Sequence, residues 1–383
     1  MFIYLFLFIL LLVFCCKFDL KSNDNKNKSR PFFFLCFILS IVAGIRYHIG
    51  SDTANYMEEF VEIPTINLFF SSIDIKELSQ PLWYIFNSIC KTIIDDFILV
   101  QLIHSFIVNF LIGRFIYKSC QKPFIALLAY LCCCWWNFNF EIMRESLCIS
   151  IYLNLIYSYT QSNNIKRFIY CSIPLMFIHY FAFIPIVLTF ILHYVKYKPF
   201  LYIGMFSTLF LYFKLSEDLL MEYMLLVEGA MEGDAIERAM TYLESDKYGF
   251  IPSSIIGIAF AFVTKIAYSF IISYDKNIDN RIAKLLLLYG FILILRLKLL
   301  ILVRFVNYWQ IILIVYAINY IIAKKKSALV FYVKAIFVYN IYLGIDSFLT
   351  PISSDKSKYD SRYIPYASYF DKTINPQRES LFY

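Results

Sequence analysis

The chain has 383 residues, of which 60% are apolar and 20% aromatic, and a mean hydropathy of +0.65. Such a composition excludes an ordinary soluble globular protein and takes lipid as its solvent. The net charge of +7 is spread over short loops between apolar runs, which is a topology signal rather than a basic patch for nucleic acid.

Met1 to Cys16 reads as a retained first helix, because no positive charge precedes the run and the positives follow it, from Lys17 to Arg30. Apolar runs then lie near 31–46, 97–117, 123–139, 143–160, 167–179, 181–195, 199–213, 251–273, 282–296, 299–322 and 327–346. Each is long enough for a spanning or half-spanning helix, so the expected fold is all-α and polytopic, with about twelve passes in a single membrane domain over 1–383. Pro174 and Pro185 flank His179 and predict a broken or re-entrant element there. The ten cysteines fall in or beside apolar runs with no CxxC spacing; they read as small apolar filler, and neither metal nor cofactor is expected.

With Lys17 to Arg30 placed in the cytoplasm, alternate loops carry Arg114, Lys118 and Lys122, then Lys166 and Arg167, Lys196 and Lys198, Lys276, Arg281 and Lys284, and Lys324 to Lys326. The positive-inside rule therefore places both termini outside the cytoplasm, with two long outer loops over 47–96 and 214–250 and an outer tail over 347–383. In the first loop Leu82, Ile85, Phe86, Ile89 and Ile93 repeat at helical spacing opposite Asn87, Ser88, Lys91 and Thr92, which predicts an amphipathic helix on the bilayer surface. The second loop reads similarly through Leu219, Leu220, Tyr223, Leu226 and Val227.

No phosphate loop, HExxH motif or Ser-His-Asp order occurs, which leaves ionisable residues near the outer boundary. Arg46 either caps a span and snorkels or joins a site with Asp52, Tyr47 and Tyr56. Arg144 opens a span with Glu141 three residues before it, a spacing that predicts an ion pair. Arg304 follows Leu299 to Val303, about a turn into an apolar run, with Tyr308 four residues on along the same face. His179 falls at the same boundary. His104 is assigned to packing and His193 to a basic cytoplasmic loop.

Taken together, these stretches resemble the EpsG family of Wzy-type polysaccharide polymerases. The first block is similar to the family's Gly-x-Arg-Tyr-x-x-Gly-x-Asp-Tyr-x-x-Tyr, here Gly44, Arg46, Tyr47, Gly50, Asp52 and Tyr56. Weaker traces are Gln80-Pro81-Leu82-Trp83-Tyr84, Arg144 opening a helix, His179 followed by Ala182, Arg304 with Tyr308, and Ile364-Pro365-Tyr366. Thr53, Gln80, Glu145 and Phe181 depart from the pattern, which bears on substrate fit rather than on reaction class.

The resemblance implies a bacterial inner-membrane enzyme that joins oligosaccharide repeat units carried on polyprenyl pyrophosphate, as in O-antigen, capsule or exopolysaccharide synthesis. Its implied partners are that lipid-linked oligosaccharide, the bilayer, and chain-length regulator and flippase proteins, with no nucleic acid. Arg144 and Arg304 would clamp the leaving pyrophosphate, with Arg46 as a third member or an organiser, because a guanidinium binds phosphate oxygens bidentately. Tyr47, Tyr56 and Tyr308 would line the substrate surface. The acceptor hydroxyl needs a base, and His179, Asp52 and Glu145 are the candidates. His179 is favoured because imidazole titrates near neutrality; Asp52 would instead orient Arg46 or bind a sugar. The competing readings are a lipid-linked oligosaccharide flippase, an O-antigen ligase and a membrane acyltransferase.

Overall fold

The computed structural model describes residues 1–21, 28–72, 80–214, 262–296, 302–324, 327–351 and 359–380. The amphipathic segment expected near 219–227 lies outside them, as does nearly all of the 214–250 loop. Every regular element among the described residues is helical. Four helical stretches, Phe2–Leu20, Ile98–Ser119, Arg304–Ala323 and Ala328–Leu349, are long and apolar enough to cross a bilayer, and Ser29–Gly44, Pro123–Trp135 and Tyr180–Tyr194 are shorter apolar helices. The chain divides into two compact units, one of residues 1–186, 321–323 and 337–383, the other of residues 187–320 and 324–336.

The first unit is built on α1 (Phe2–Phe14), α2 (Ser29–Gly44), α3 (Ser51–Glu62), α4 (Ile66–Ser72), α5 (Pro81–Ile93), α6 (Ile98–Ser119), α7 (Pro123–Tyr130), α8 (Met143–Ser162) and α9 (Ile165–Ile178). Helices α2 and α6 approach closely through small residues. A Cβ on Gly44 would lie 2.9 Å from Leu102 Cα, and one on Gly113 would lie 2.5 Å from Cys36 Sγ. The Ser40 and Ser105 hydroxyls donate across the same interface, each to the other's carbonyl, at 3.2 and 2.8 Å. Small residues and side-chain hydrogen bonds are what hold helices together where lipid removes the hydrophobic drive.

After α7 the chain widens into π-helical turns over Leu131–Trp135 and Asn137–Glu141. A buried network fixes them to α6: Asn109 Nδ2 donates to Asn139 Oδ1 at 2.9 Å, and Tyr130 OH donates to Asn109 Oδ1 at 3.0 Å. Ile142, at φ −93° and ψ 54°, ends the π-turns and starts α8 in a new direction.

Helix α5 forms where the periodicity predicts a helix, although Phe86 of the apolar set packs against the buried cluster of Phe60, Trp83 and Cys90 and Thr92 of the polar set is exposed. Leu82, Ile89 and Ile93 are exposed, whereas Ser88 and Lys91 face protein: Ser88 Oγ donates to Pro64 O at 2.7 Å and Lys91 Nζ to the carbonyls of Phe60 and Val61 at 3.0 and 2.8 Å. An apolar face turned outward is the pattern of a helix that meets lipid.

The broken element at His179 is also present, although the prolines are not where it breaks. Pro174 sits inside α9, and the chain is extended at His179 (φ −151°, ψ 116°) before a 3-10 turn at Tyr180–Ala182 and α10 (Phe183–Tyr194). Pro185 is the third residue of α10, where the missing N–H would have had no helical partner.

The second unit contains most of α10, α11 (Tyr197–Lys214), α12 (Ala267–Ser273), α13 (Asn280–Arg296), most of α14 (Val303–Ala323) and the start of α15 (Ala328–Leu349). Arg304 is the second residue of α14. Residues 297–301, most of the apolar run expected to precede it, lie outside the described residues. A short helix, α16 (Pro376–Glu379), closes the first unit.

Candidate functional site

The first block is shaped by the far end of the chain. Tyr47 N donates to Ala367 O at 2.9 Å, Tyr369 N to Ile45 O at 2.7 Å and Gly50 N to Arg362 O at 3.1 Å. Tyr366 OH donates to Val42 O at 2.8 Å. Arg378, fully buried, donates to His48 O at 2.9 Å, to Ser361 O at 2.7 Å and to Pro365 O. The strap over 359–380 therefore clasps residues 42–50. Within it Arg362 hydrogen-bonds Asp360, at 2.6 Å for the shortest contact, and these bonds outweigh the effect of burial and hold its guanidinium protonated.

Arg46 is 1% exposed. It donates to Ala43 O at 2.7 Å, Ile49 O at 3.3 Å and Met143 Sδ at 3.4 Å, and its guanidinium lies 5.1 Å from the Phe140 ring centre. Burial pushes its pKa down to about 10, which still leaves it charged at neutral pH. Its donors go to the carbonyls of Ala43 and Ile49 and to the Met143 sulfur rather than to Asp52.

Asp52 is the second residue of α3, and Glu141 caps that helix. Glu141 Oε2 accepts from Ser51 Oγ at 2.7 Å and from Asp52 N at 3.1 Å, offering a carboxylate to a hydroxyl and to an N–H group that has no helical partner. Gly50 makes the approach possible: its φ is +100°, and a Cβ there would lie 2.4 Å from Phe140 O. The Glu141–Arg144 pair expected from spacing does not form. The break at Ile142 takes the two residues off a common helical face, and Glu141 turns to α3.

Arg144 pairs instead with a residue missed in the sequence. Its Nη2 lies 2.6 Å from Glu59 Oε2 on α3, and its Nη1 donates to Gln80 Oε1 at 3.2 Å. Trp83 Nε1 donates to the same Glu59 oxygen at 3.3 Å. The guanidinium lies 5.1 Å from the Tyr56 ring centre and 5.6 Å from that of Trp83, within the range of cation–π attraction. Arg144 is in the first turn of α8, where the helix dipole disfavours a cation by about 0.3–1 kcal/mol; Glu59 offsets that and fixes the fork. Three of the motif traces, Tyr56, Gln80-to-Trp83 and Arg144, thus meet in one cluster. Tyr47 stands apart from it, its ring 4.4 Å from that of His48.

The next residue, Glu145, is buried and its Oε2 lies 4.0 Å from His179 Nε2; the two side chains are 4% and 8% exposed. Two of the three base candidates are therefore brought together. Asp52 is separately placed on α3. His104, assigned to packing, is fully buried, with Nε2 2.8 Å from Met143 O and 3.1 Å from Ser146 Oγ. In the second unit Arg304 and Tyr308 occupy α14, and Tyr308 is fully buried. All ten cysteines are free thiols.

An apolar helical chain that sets arginine, carboxylate and imidazole at one helix start is a membrane protein with a polar site. It belongs to the EpsG family, whose model matches residues 29–368, and membership supports a polysaccharide-polymerase role in general. No curated protein and no solved structure matches the chain.

Proposed function

We propose that this protein joins oligosaccharide units carried on polyprenyl pyrophosphate at the outer face of a bacterial cell membrane. The observation that carries the reading is the pairing of roles on two consecutive residues at the start of α8: Arg144, oriented by Glu59 and Gln80, and Glu145, 4.0 Å from His179. One supplies an anion-binding fork beside helix N–H groups; the other stands by a group able to take a proton.

In this scheme the acceptor hydroxyl gives its proton to His179 as its oxygen attacks the anomeric carbon, and Glu145 stabilises the imidazolium that forms. The bond to pyrophosphate breaks, and Arg144 meets the developing charge, where fixed donors act most strongly. For Arg304, in the first turn of a helix of the second unit, the family resemblance implies a phosphate-binding role of its own. Tyr56 lines the substrate surface beside Arg144, and Asp52, at the start of α3, binds a sugar hydroxyl; for Tyr47 and Tyr308 a substrate contact is what the family resemblance implies. Neither nucleotide nor cofactor is required. The loop charges support about twelve passes with both termini outside the cytoplasm, and the chain-length regulator and flippase of the same pathway would be its neighbours.

A deletion strain separates the readings. Loss of the long-glycan ladder with single units still exported supports a polymerase. Disappearance of outward-facing single units would favour the flippase, and long chains that stay lipid-linked would favour the ligase.

A further inference from the structure

The second unit contains a cavity of about 640 Å³ between α11, α12, α13 and α14. Its walls are apolar, with Leu201, Met205 and Leu209 on α11 facing Leu287 and Ile294 on α13. Leu201 to Leu209 spans eight residues of helix, about 12 Å at 1.5 Å per residue, which accommodates part of an extended acyl chain. Polar groups gather at one end only, where Tyr274, Asp275, Lys276 and Lys324 line the mouth.

The charges at that mouth are arranged for an anion. Asp275 is buried and its Oδ1 lies 2.7 Å from Lys324 Nζ while also accepting from Asn277 N at 3.1 Å. Its charge therefore anchors Lys324 in place. Lys324 remains about one-third exposed, with further N–H donors to offer. Lys276 is exposed and forms no ion pair among the described residues. Two ammonium groups beside one carboxylate leave a net positive charge at the end of an apolar groove whose Met205 and Leu209 are exposed, which matches an amphiphile whose headgroup carries a phosphate.

We propose that this cavity binds a membrane phospholipid with an anionic headgroup, one acyl chain lying along α11 and the phosphate held between Lys276 and Lys324. The site lies within the second unit, is independent of the glycan chemistry proposed above, and stands or falls separately from it.

Native mass spectrometry of the detergent-solubilised full-length protein tests it, using phosphatidylglycerol and phosphatidylcholine of identical acyl chains. Phosphatidylglycerol should be retained in preference. Lys276→Gln should weaken that retention about fivefold, the weight of one lysine beside an anionic headgroup, and Lys324→Gln should do the same. Leu209→Trp, which fills the channel and leaves the charges alone, should reduce retention of both lipids. Equal retention of the two lipids would overturn the proposal. So would unchanged phosphatidylglycerol binding in Leu209→Trp, since the lysines would then hold headgroups on the surface outside the cavity. Should Lys324→Gln fail to fold without its partner to Asp275, Lys276→Gln and Leu209→Trp decide the matter alone.

Discussion

The Nη2 atom of Arg144 lies 2.6 Å from Oε2 of Glu59, which joins the first turn of α8 to the last turn of α3 across 85 residues of sequence. The contact converts a mobile cation at a helix start into a fixed fork. Glu59→Gln keeps the shape and removes the charge, and Arg144→Lys keeps the charge and removes the fork. Both should shorten or abolish the glycan ladder, whereas Arg114→Lys, at an exposed residue touching Asn154 at 3.4 Å, should leave it intact. Normal ladders from both site variants, with protein levels equal, would reduce Arg144 to a membrane anchor.

His179→Ala and Glu145→Gln should each lower polymer formation by roughly 100-fold or more, the lower end of what a positioned base contributes. Single-unit product should persist in both. If Asp52→Asn produces this loss while His179→Ala does not, the base has been assigned to the wrong residue.

Gly50→Ala places a methyl group 2.4 Å from Phe140 O at φ +100°. Strain of about 1–3 kcal/mol is expected from such a backbone position, along with displacement of α3 from its Glu141 cap. Thermal unfolding in detergent should show a lowered midpoint. An unchanged midpoint would mean that the turn relaxes freely.

Arg378→Met would leave the carbonyls of His48, Ser361 and Pro365 without their buried donor, at about 1–3 kcal/mol for each group left unsatisfied. The strap over 359–380 should become readily cut by protease, and the glycan ladder should fall with it. Equal cleavage rates in wild type and variant would show that the strap is held by other contacts.

Loop charges predict that a cysteine replacing Lys372 is modified by an impermeant reagent in intact cells, in a background free of the native cysteines, while one replacing Ser22 is not. The reverse pattern would put the Arg144 cluster on the wrong side of the membrane.

Much of the architecture was legible because it is local. Helices overlie the apolar runs within the described residues, and α5 turns outward Leu82, Ile89 and Ile93 of the face that its spacing marks as apolar. The interruption at His179 was legible too, from paired prolines, although the extended backbone falls between them. What stayed hidden is long range. Glu59 looked like one of many loop acids, since nothing in its surroundings announces a partner 85 residues away. Glu141 was assigned to Arg144 because three residues of continuous helix would align them; the dihedral break at Ile142 is a tertiary decision with no local signature. Arg378, in a polar tail, gave no sign that it is fully buried.

The bond between Arg378 and His48 closes a span of 330 residues. On the ribosome, where the N-terminal part emerges first, the Arg46 block is made early and waits for its clasp until almost the whole chain has been inserted. A chain that ends just short of residue 378 carries every motif residue and the bonds from 362–369 to the 42–50 block, but it lacks the buried guanidinium that ties His48, Ser361 and Pro365 together.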